Sequence, residues 1–274
     1  ADEANLSLLA LDFANGGDFP LLGIGSSVGF PNAPVNVYLL ALPYFLDSSP
    51  ISATVFVGLL NVMAVLLVYV IARPYAGPVP ALLATLLYAV SPWAIVFSRK
   101  IWAQNMLPPF VLLTLWVGLR GFVQGDRRVQ AAYLPLIALT GQIHYGAFVV
   151  IPAVLALPVL GWRHVSRWFW GGLVLAVICV LPFIVGLARA DLLSADQLGE
   201  SLSGTSEAES TALTITNEGL RGAAVIIAGT ETHSLAGPER FRDFLDTVPN
   251  AYPIFNLLAG LVTIGTPAGR WSMA

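Results

Sequence analysis

Long apolar runs separated by short, arginine-bearing connections set the pattern of this chain. Residues 51–72 form one unbroken run, from Ile51 through Val70-Ile71-Ala72, and it ends at Arg73-Pro74. About 20 mostly apolar residues are enough for a helix to cross the hydrocarbon core of a bilayer. Further runs occupy 78–97, 105–122, 130–143, 145–161, 168–188 and 252–267; the first of these opens on Pro78 and holds Pro92 near its far end. Two polar stretches interrupt the series. Residues 1–50 contain Gly16-Gly17-Asp18 and the Gly23 to Gly29 stretch, and close on a short apolar segment, Val35 to Leu46, with the character of an interfacial helix. Residues 189–251 are rich in Ser, Thr and Glu. Within them Phe241, Phe244, Leu245 and Val248 follow i, i+3, i+4, i+7 spacing, which predicts an amphipathic helix. The predicted organisation is a first extracytoplasmic loop (1–50), a transmembrane helix bundle (51–188), an extracytoplasmic insert (189–251) and a further, truncated transmembrane helix (252–274).

Composition agrees with a lipid environment. Hydrophobic residues make up 57% of the chain and charged residues 11%, with a mean hydropathy of +0.77. Soluble domains carry about 25% charged residues, because their surface has to face water. The fold class expected is therefore an all-α polytopic membrane protein. The polar start Ala1-Asp2-Glu3 and the stop after Gly269-Arg270-Trp271 read as cuts through a longer chain. The single Cys179, inside Val177-Ile178-Cys179-Val180, excludes an intrachain disulfide and predicts a buried, inert thiol.

Charge orients the bundle. If the loop after residue 72 is cytoplasmic, alternation of the helices puts Arg73, Arg120, Arg127, Arg128, Arg163, Arg167 and Arg270 on that side, with Asp126 as its one acid among 16. Short cytoplasmic loops carry such an excess of arginine and lysine. The other acids, among them Asp2, Glu3, Asp12, Asp18 and Asp47, then face outward. Nothing in this distribution suggests a nucleic-acid partner.

Four features on the outer side could carry chemistry. Asp2-Glu3 places adjacent carboxylates at the membrane edge, where desolvation is costly unless something pairs or uses them; a carboxylate there can accept a proton as a general base. A solvated helix end would look the same. Arg99-Lys100 is the one adjacent basic pair on that side, and two cations at headgroup level can neutralise a phosphate; snorkelling beside Trp93 and Trp102 is the plainer reading. Gln104 and Asn105 form a third feature. His144, with Gln142, forms a fourth at the same level, able to orient a phosphate, shuttle a proton or simply hydrogen-bond.

At this point the order of motifs resembles a known family. Asp2-Glu3-Ala4, Gly16-Gly17-Asp18-Phe19, Asn32-Ala33-Pro34 and Val37-Tyr38-Leu39-Leu40-Ala41-Leu42-Pro43 resemble the first outer loop of polyprenyl-phosphate-dependent glycosyltransferases of the GT-C class. Those are the family 39-like enzymes, the protein mannosyltransferases and their aminoarabinose-transferase relatives. Ser98-Arg99-Lys100 and Gln104-Asn105-Met106-Leu107 match the stretch that opens a downstream helix there, and the likeness spans about residues 1–190. The resemblance implies a preceding transmembrane helix, Asp2 as catalytic base with Glu3 beside it, Arg99 and Lys100 on the lipid phosphate, and Gln104, Asn105, His144 and Asn32 near the substrate. The implied reaction moves a sugar, with inversion, from a polyprenyl-phosphate carrier to an acceptor hydroxyl on a protein, lipid or glycan, at the extracytoplasmic face of the cell membrane. Aminoarabinose transferases have Phe-Glu-Lys-Pro-Pro where this chain has Phe30-Pro31-Asn32-Ala33-Pro34. Pro31 cannot ligate the metal that their Glu binds, and Asn32 lacks the charge of their Lys, so no cofactor is assigned and a divalent metal is left open.

Two other classes compete. A transporter or lipid flippase would place ionisable groups near helix midpoints, and the predicted midplanes here are almost free of them. A non-catalytic scaffold would use the outer insert to bind a partner and would tolerate loss of Asp2 and Glu3.

Overall fold

The computed structural model describes residues 2–25 and 31–192. All secondary structure among them is helical. The expected insert beyond residue 192, its amphipathic helix, the last span and Arg270 lie outside the described residues. Chain packing separates two units, Ala1–Leu86 with Ser98–Thr205, and Leu87–Phe97 with Ser206–Ala274.

In the first unit, α1 (Asp2–Ala14) and α2 (Val35–Tyr44) pack together and precede α3 (Pro50–Ala76), one of three helices among the described residues that are long and apolar enough to cross a membrane. Ser49 caps α3, accepting from the Ile51 N–H at 3.2 Å, with Pro50 at the first helical position. Both choices suit a helix start. The expected end at Arg73-Pro74 is passed by a few residues: α3 runs on to Ala76 and stops at Gly77, whose φ of +83° a residue with a β-carbon adopts only at a cost. Ala53, Val57, Leu60 and Ala64 of α3 are buried, while Val55, Leu59, Val62 and Leu66 face outward. The inward stripe keeps helical spacing, and its alanines let neighbouring backbones approach closely. In lipid such packing replaces the hydrophobic drive that holds soluble helices together.

The run expected over 78–97 is broken in two. α4 (Pro78–Ala89) ends before Pro92, and α5 (Pro92–Phe97) follows as a separate turn and a half in which Trp93 stacks on Phe97 at 5.1 Å. Proline disfavours helical geometry in the residue before it, which accounts for the break. At about 1.5 Å per residue, α4 is shorter than a bilayer core.

A second spanning helix runs over Ala103–Val123. It opens in a 3-10 turn (Ala103–Met106), continues as α6 (Leu107–Gly118), and ends in a π turn (Leu119–Val123). α7 (Tyr133–Ile143), α8 (Ile151–Leu160) and the third spanning helix, α9 (Arg167–Arg189), complete the unit. Glycines allow close approaches to α9: a β-carbon on Gly172 would lie 2.7 Å from the Ala131 carbonyl oxygen, and one on Gly186 would lie 2.6 Å from that of Leu21. Cys179 is only partly buried on α9, where its carbonyl accepts from Gln142 at 3.1 Å. The buried thiol expected from its apolar neighbours is corrected by the lipid-facing position of much of this helix.

Two ends of this unit emerge. At one, Gln130 is fully buried and its amide donates to the Gly121 and His164 carbonyls at 2.9 and 2.8 Å, while its oxygen accepts from the Ser166 N–H and hydroxyl at 3.0 and 2.8 Å. Every donor and acceptor of that side chain is used, and the network ties together the loops that carry Arg120, Arg127, Arg128, Arg163 and Arg167. At the other end, α1, α2, the start of α3, residues 101–107 and Ile143 share one apolar cluster.

Candidate functional site

Asp2 and Glu3 occupy the first turn of α1, Asp2 exposed and Glu3 half-buried. Acids in a first turn complement the helix dipole. α1 is anchored by Leu6 and Ala10, both fully buried one turn apart, and by a hydrogen bond between the Ser7 hydroxyl and the Tyr44 hydroxyl of α2. Phe13, Phe19, Tyr38 and Phe45 pack ring against ring beneath the following loop, and the Tyr38 hydroxyl donates to the Pro20 carbonyl at 2.5 Å. Burial pushes the Tyr38 hydroxyl up to about 12, so it stays a donor at any physiological pH.

Arg99 is exposed and Lys100 half-buried in the segment between α5 and the 3-10 turn. The Lys100 ammonium lies 5.7 Å from the centre of the Trp102 ring. Asn105 is buried, and its amide donates to the Lys100 carbonyl at 3.0 Å while the Asn105 carbonyl accepts from Asn61 of α3, also at 3.0 Å. These bonds close the turn that presents the basic pair and fasten it to the bundle. Gln104 is half-buried in the same turn. Ile101, Ala103 and Met106 enter the apolar cluster that also holds Leu6 and Ala10 of α1.

Asn32 is buried as well. Its amide donates to the Ile24 carbonyl at 3.0 Å, and backbone bonds from the Gly23 N–H to its carbonyl (2.7 Å) and from its own N–H to Ile24 (2.9 Å) join the two segments. Tyr145 reaches across to donate its hydroxyl proton to the Pro31 carbonyl. His144, half-buried between α7 and the next turn, accepts the Gly146 N–H on Nδ1 at 3.0 Å, and burial lowers its basicity below that of an ordinary histidine. The structure thus joins the elements carrying Asp2, Glu3, Arg99, Lys100, Gln104 and Asn105 around one cluster, with Ile143, next to His144, in it too.

Sequence reasoning passed over Asn36. It is fully buried in α2, its amide donates to the Ile143 carbonyl at 3.2 Å, and its side-chain oxygen has no hydrogen-bond partner. The signal was present: it is a lone amide inside the apolar segment from Val35 to Leu46. Arg189 was also missed. With Asp18 it lines an open groove of about 760 Å³ between the loop after α1 and the end of α9.

No group of three His, Cys, Asp or Glu side chains capable of holding a metal converges among the described residues. The Pro31 side chain has no atom that could ligate a metal, and no step is routed through one.

The family model described as dolichyl-phosphate-mannose-protein mannosyltransferase covers residues 31–185, more than half of the chain. It includes α2, the basic pair and α9 as far as its last turn. No curated protein and no solved structure matches.

Proposed function

The chain belongs to the dolichyl-phosphate-mannose-protein mannosyltransferase family, membrane glycosyltransferases of the GT-C type, and from that membership we propose that it transfers a sugar from a polyprenyl-phosphate carrier to an acceptor hydroxyl on the extracytoplasmic side of a multi-pass bundle. The Asp2 carboxylate takes the proton of the acceptor hydroxyl as that oxygen attacks the anomeric carbon. The bond from that carbon to the phosphate oxygen breaks on the opposite face, so configuration inverts. Polyprenyl phosphate leaves with the charge, which the Arg99 guanidinium and the Lys100 ammonium balance. Glu3 shapes the field around the base, and Gln104, Asn105, His144 and Asn32 border the sugar or hold the loops that do. The acceptor belongs to a protein, a lipid or a glycan, and the sugar is a hexose or a pentose.

The observation that supports this most is the common apolar cluster. Leu6 and Ala10 lie one and two turns beyond the acidic pair, and Ile101 and Ala103 follow directly on the basic pair; all four are buried in it. Asp2 and Glu3 stand upstream of the family match and Arg99 and Lys100 within it. The test uses the purified full-length protein with a polyprenyl-phosphate sugar. Loss of a general base lowers turnover by about 10²- to 10⁴-fold, so Asp2→Asn should reduce carrier release by at least that lower figure with its thermal unfolding unchanged. Undiminished turnover in Asp2→Asn removes the mechanism.

A further inference from the structure

The arginine end of the first unit holds a cleft that the transfer reading leaves unused. It measures about 400 Å³ and lies between the last turns of α3 and the end of the α6 span. Arg73 and Tyr75 enter it from α3, Arg120 and Gln124 from the π turn and the residue after it, with Val70 and Leu119 on the apolar wall.

Its donors are arranged but incompletely used. The Arg73 guanidinium lies 5.9 Å over the Tyr69 ring and has no acidic partner among the described residues. Arg120 lies 5.6 Å over Trp116 and pairs with Asp126 at 3.0 Å, yet its Nε is buried with no hydrogen-bond partner. Gln124 donates to the Tyr75 hydroxyl at 3.3 Å, which leaves that hydroxyl its own proton to give. Of the two guanidinium groups lining the cleft, one is paired with a carboxylate and one is not, and a stacked guanidinium keeps its edge free for an oxyanion. The π turn at Leu119–Val123 is the kind of local helix defect found at functional sites.

The surroundings select the ligand. Val70 and Tyr75 are 44% and 55% exposed on the flank of a spanning helix, so the cleft opens sideways toward lipid. A free phosphate would leave the apolar wall wet, whereas a headgroup with acyl chains covers it. The arginine surplus at this end marks the side facing the cytoplasm, whose leaflet is rich in anionic lipid. We propose that this cleft binds the phosphate of an anionic phospholipid from the cytoplasmic leaflet, with Arg73, Arg120 and Tyr75 as its donors. The proposal rests on the cleft and the charge bias, and not on the transfer chemistry at the other end.

The test adds phosphatidylglycerol, phosphatidylcholine or inorganic phosphate to the full-length protein in neutral detergent and reads the thermal midpoint and the lipid retained in native mass spectrometry. Phosphatidylglycerol alone should protect. Loss of one charge-assisted contact corresponds to about tenfold in affinity, so Arg73→Gln should weaken protection by about that factor. Tyr75→Phe, which removes one oxygen and leaves the fold undisturbed, should weaken it severalfold. Arg127→Gln, an exposed arginine outside the cleft, should change nothing. Equal protection by inorganic phosphate overturns the lipid assignment, and equal losses from Arg127→Gln and Arg73→Gln overturn the site.

Discussion

His144 shows how a single side chain reports its surroundings. Burial lowers its pKa, and its Nδ1 is already engaged as an acceptor for the Gly146 N–H at 3.0 Å. Protonation would both charge a half-buried ring and break that bond. An unfolded histidine titrates near about 6.5, so the folded form binds its proton later than the unfolded one. The contribution to stability is then fully present above that value and is lost as pH falls through the lower, folded pKa. Thermal unfolding in detergent should show a midpoint that drops between pH 7.5 and 5, and His144→Gln should flatten part of that drop. A variant with the wild-type slope would show that other groups carry it. Asn32 and Asn105, by contrast, are held by backbone carbonyls. Whatever they offer a substrate, they also fasten turns, so their replacement should be read for stability as well as turnover.

The behaviour of each helix follows from where small residues and prolines fall. α9 contains Gly171 and Gly172 side by side, and their environments differ. A β-carbon on Gly171 would meet nothing within 4 Å, while one on Gly172 would press on the Ala131 carbonyl oxygen at 2.7 Å. Overpacking of this kind costs about 1–3 kcal/mol, and a glycine in a helix costs about 1 kcal/mol relative to a good helix former. Gly172→Leu should therefore lower the thermal midpoint by several degrees, while Gly171→Leu should hold or raise it. Equal effects would mean that α9 does not pack closely on the turn before α7. The interruption between α4 and α5 has the same local origin, in the proline at position 92.

At the scale of the first unit, most of the described loop arginines and the acidic pair of α1 lie at different ends. Arg120, Arg127, Arg128, Arg163 and Arg167 surround the Gln130 network, and the acidic pair sits on α1 at the other end. That division predicts the outcome of labelling in intact cells. In a Cys179→Ser background, Asp47→Cys should react with a membrane-impermeant maleimide, and Arg163→Cys should react only after the membrane is opened. The reverse result would turn the bundle over and put the proposed transfer on the cytoplasmic side.

The apolar runs are a property of local composition, and so the helical membrane fold was legible from the residues alone. The order of the acidic and basic motifs likewise pointed to the family. The extension of α3 to Ala76 and the burial of α2 depended on geometry and packing that an average over a run of residues does not resolve. The amides needed the fold most. Asn36 finds its carbonyl 107 residues away and Asn61 finds one 44 residues away. Whether such a side chain faces a ligand or holds a turn is decided by partners distant in sequence, because a buried amide must satisfy itself with whatever the fold brings alongside.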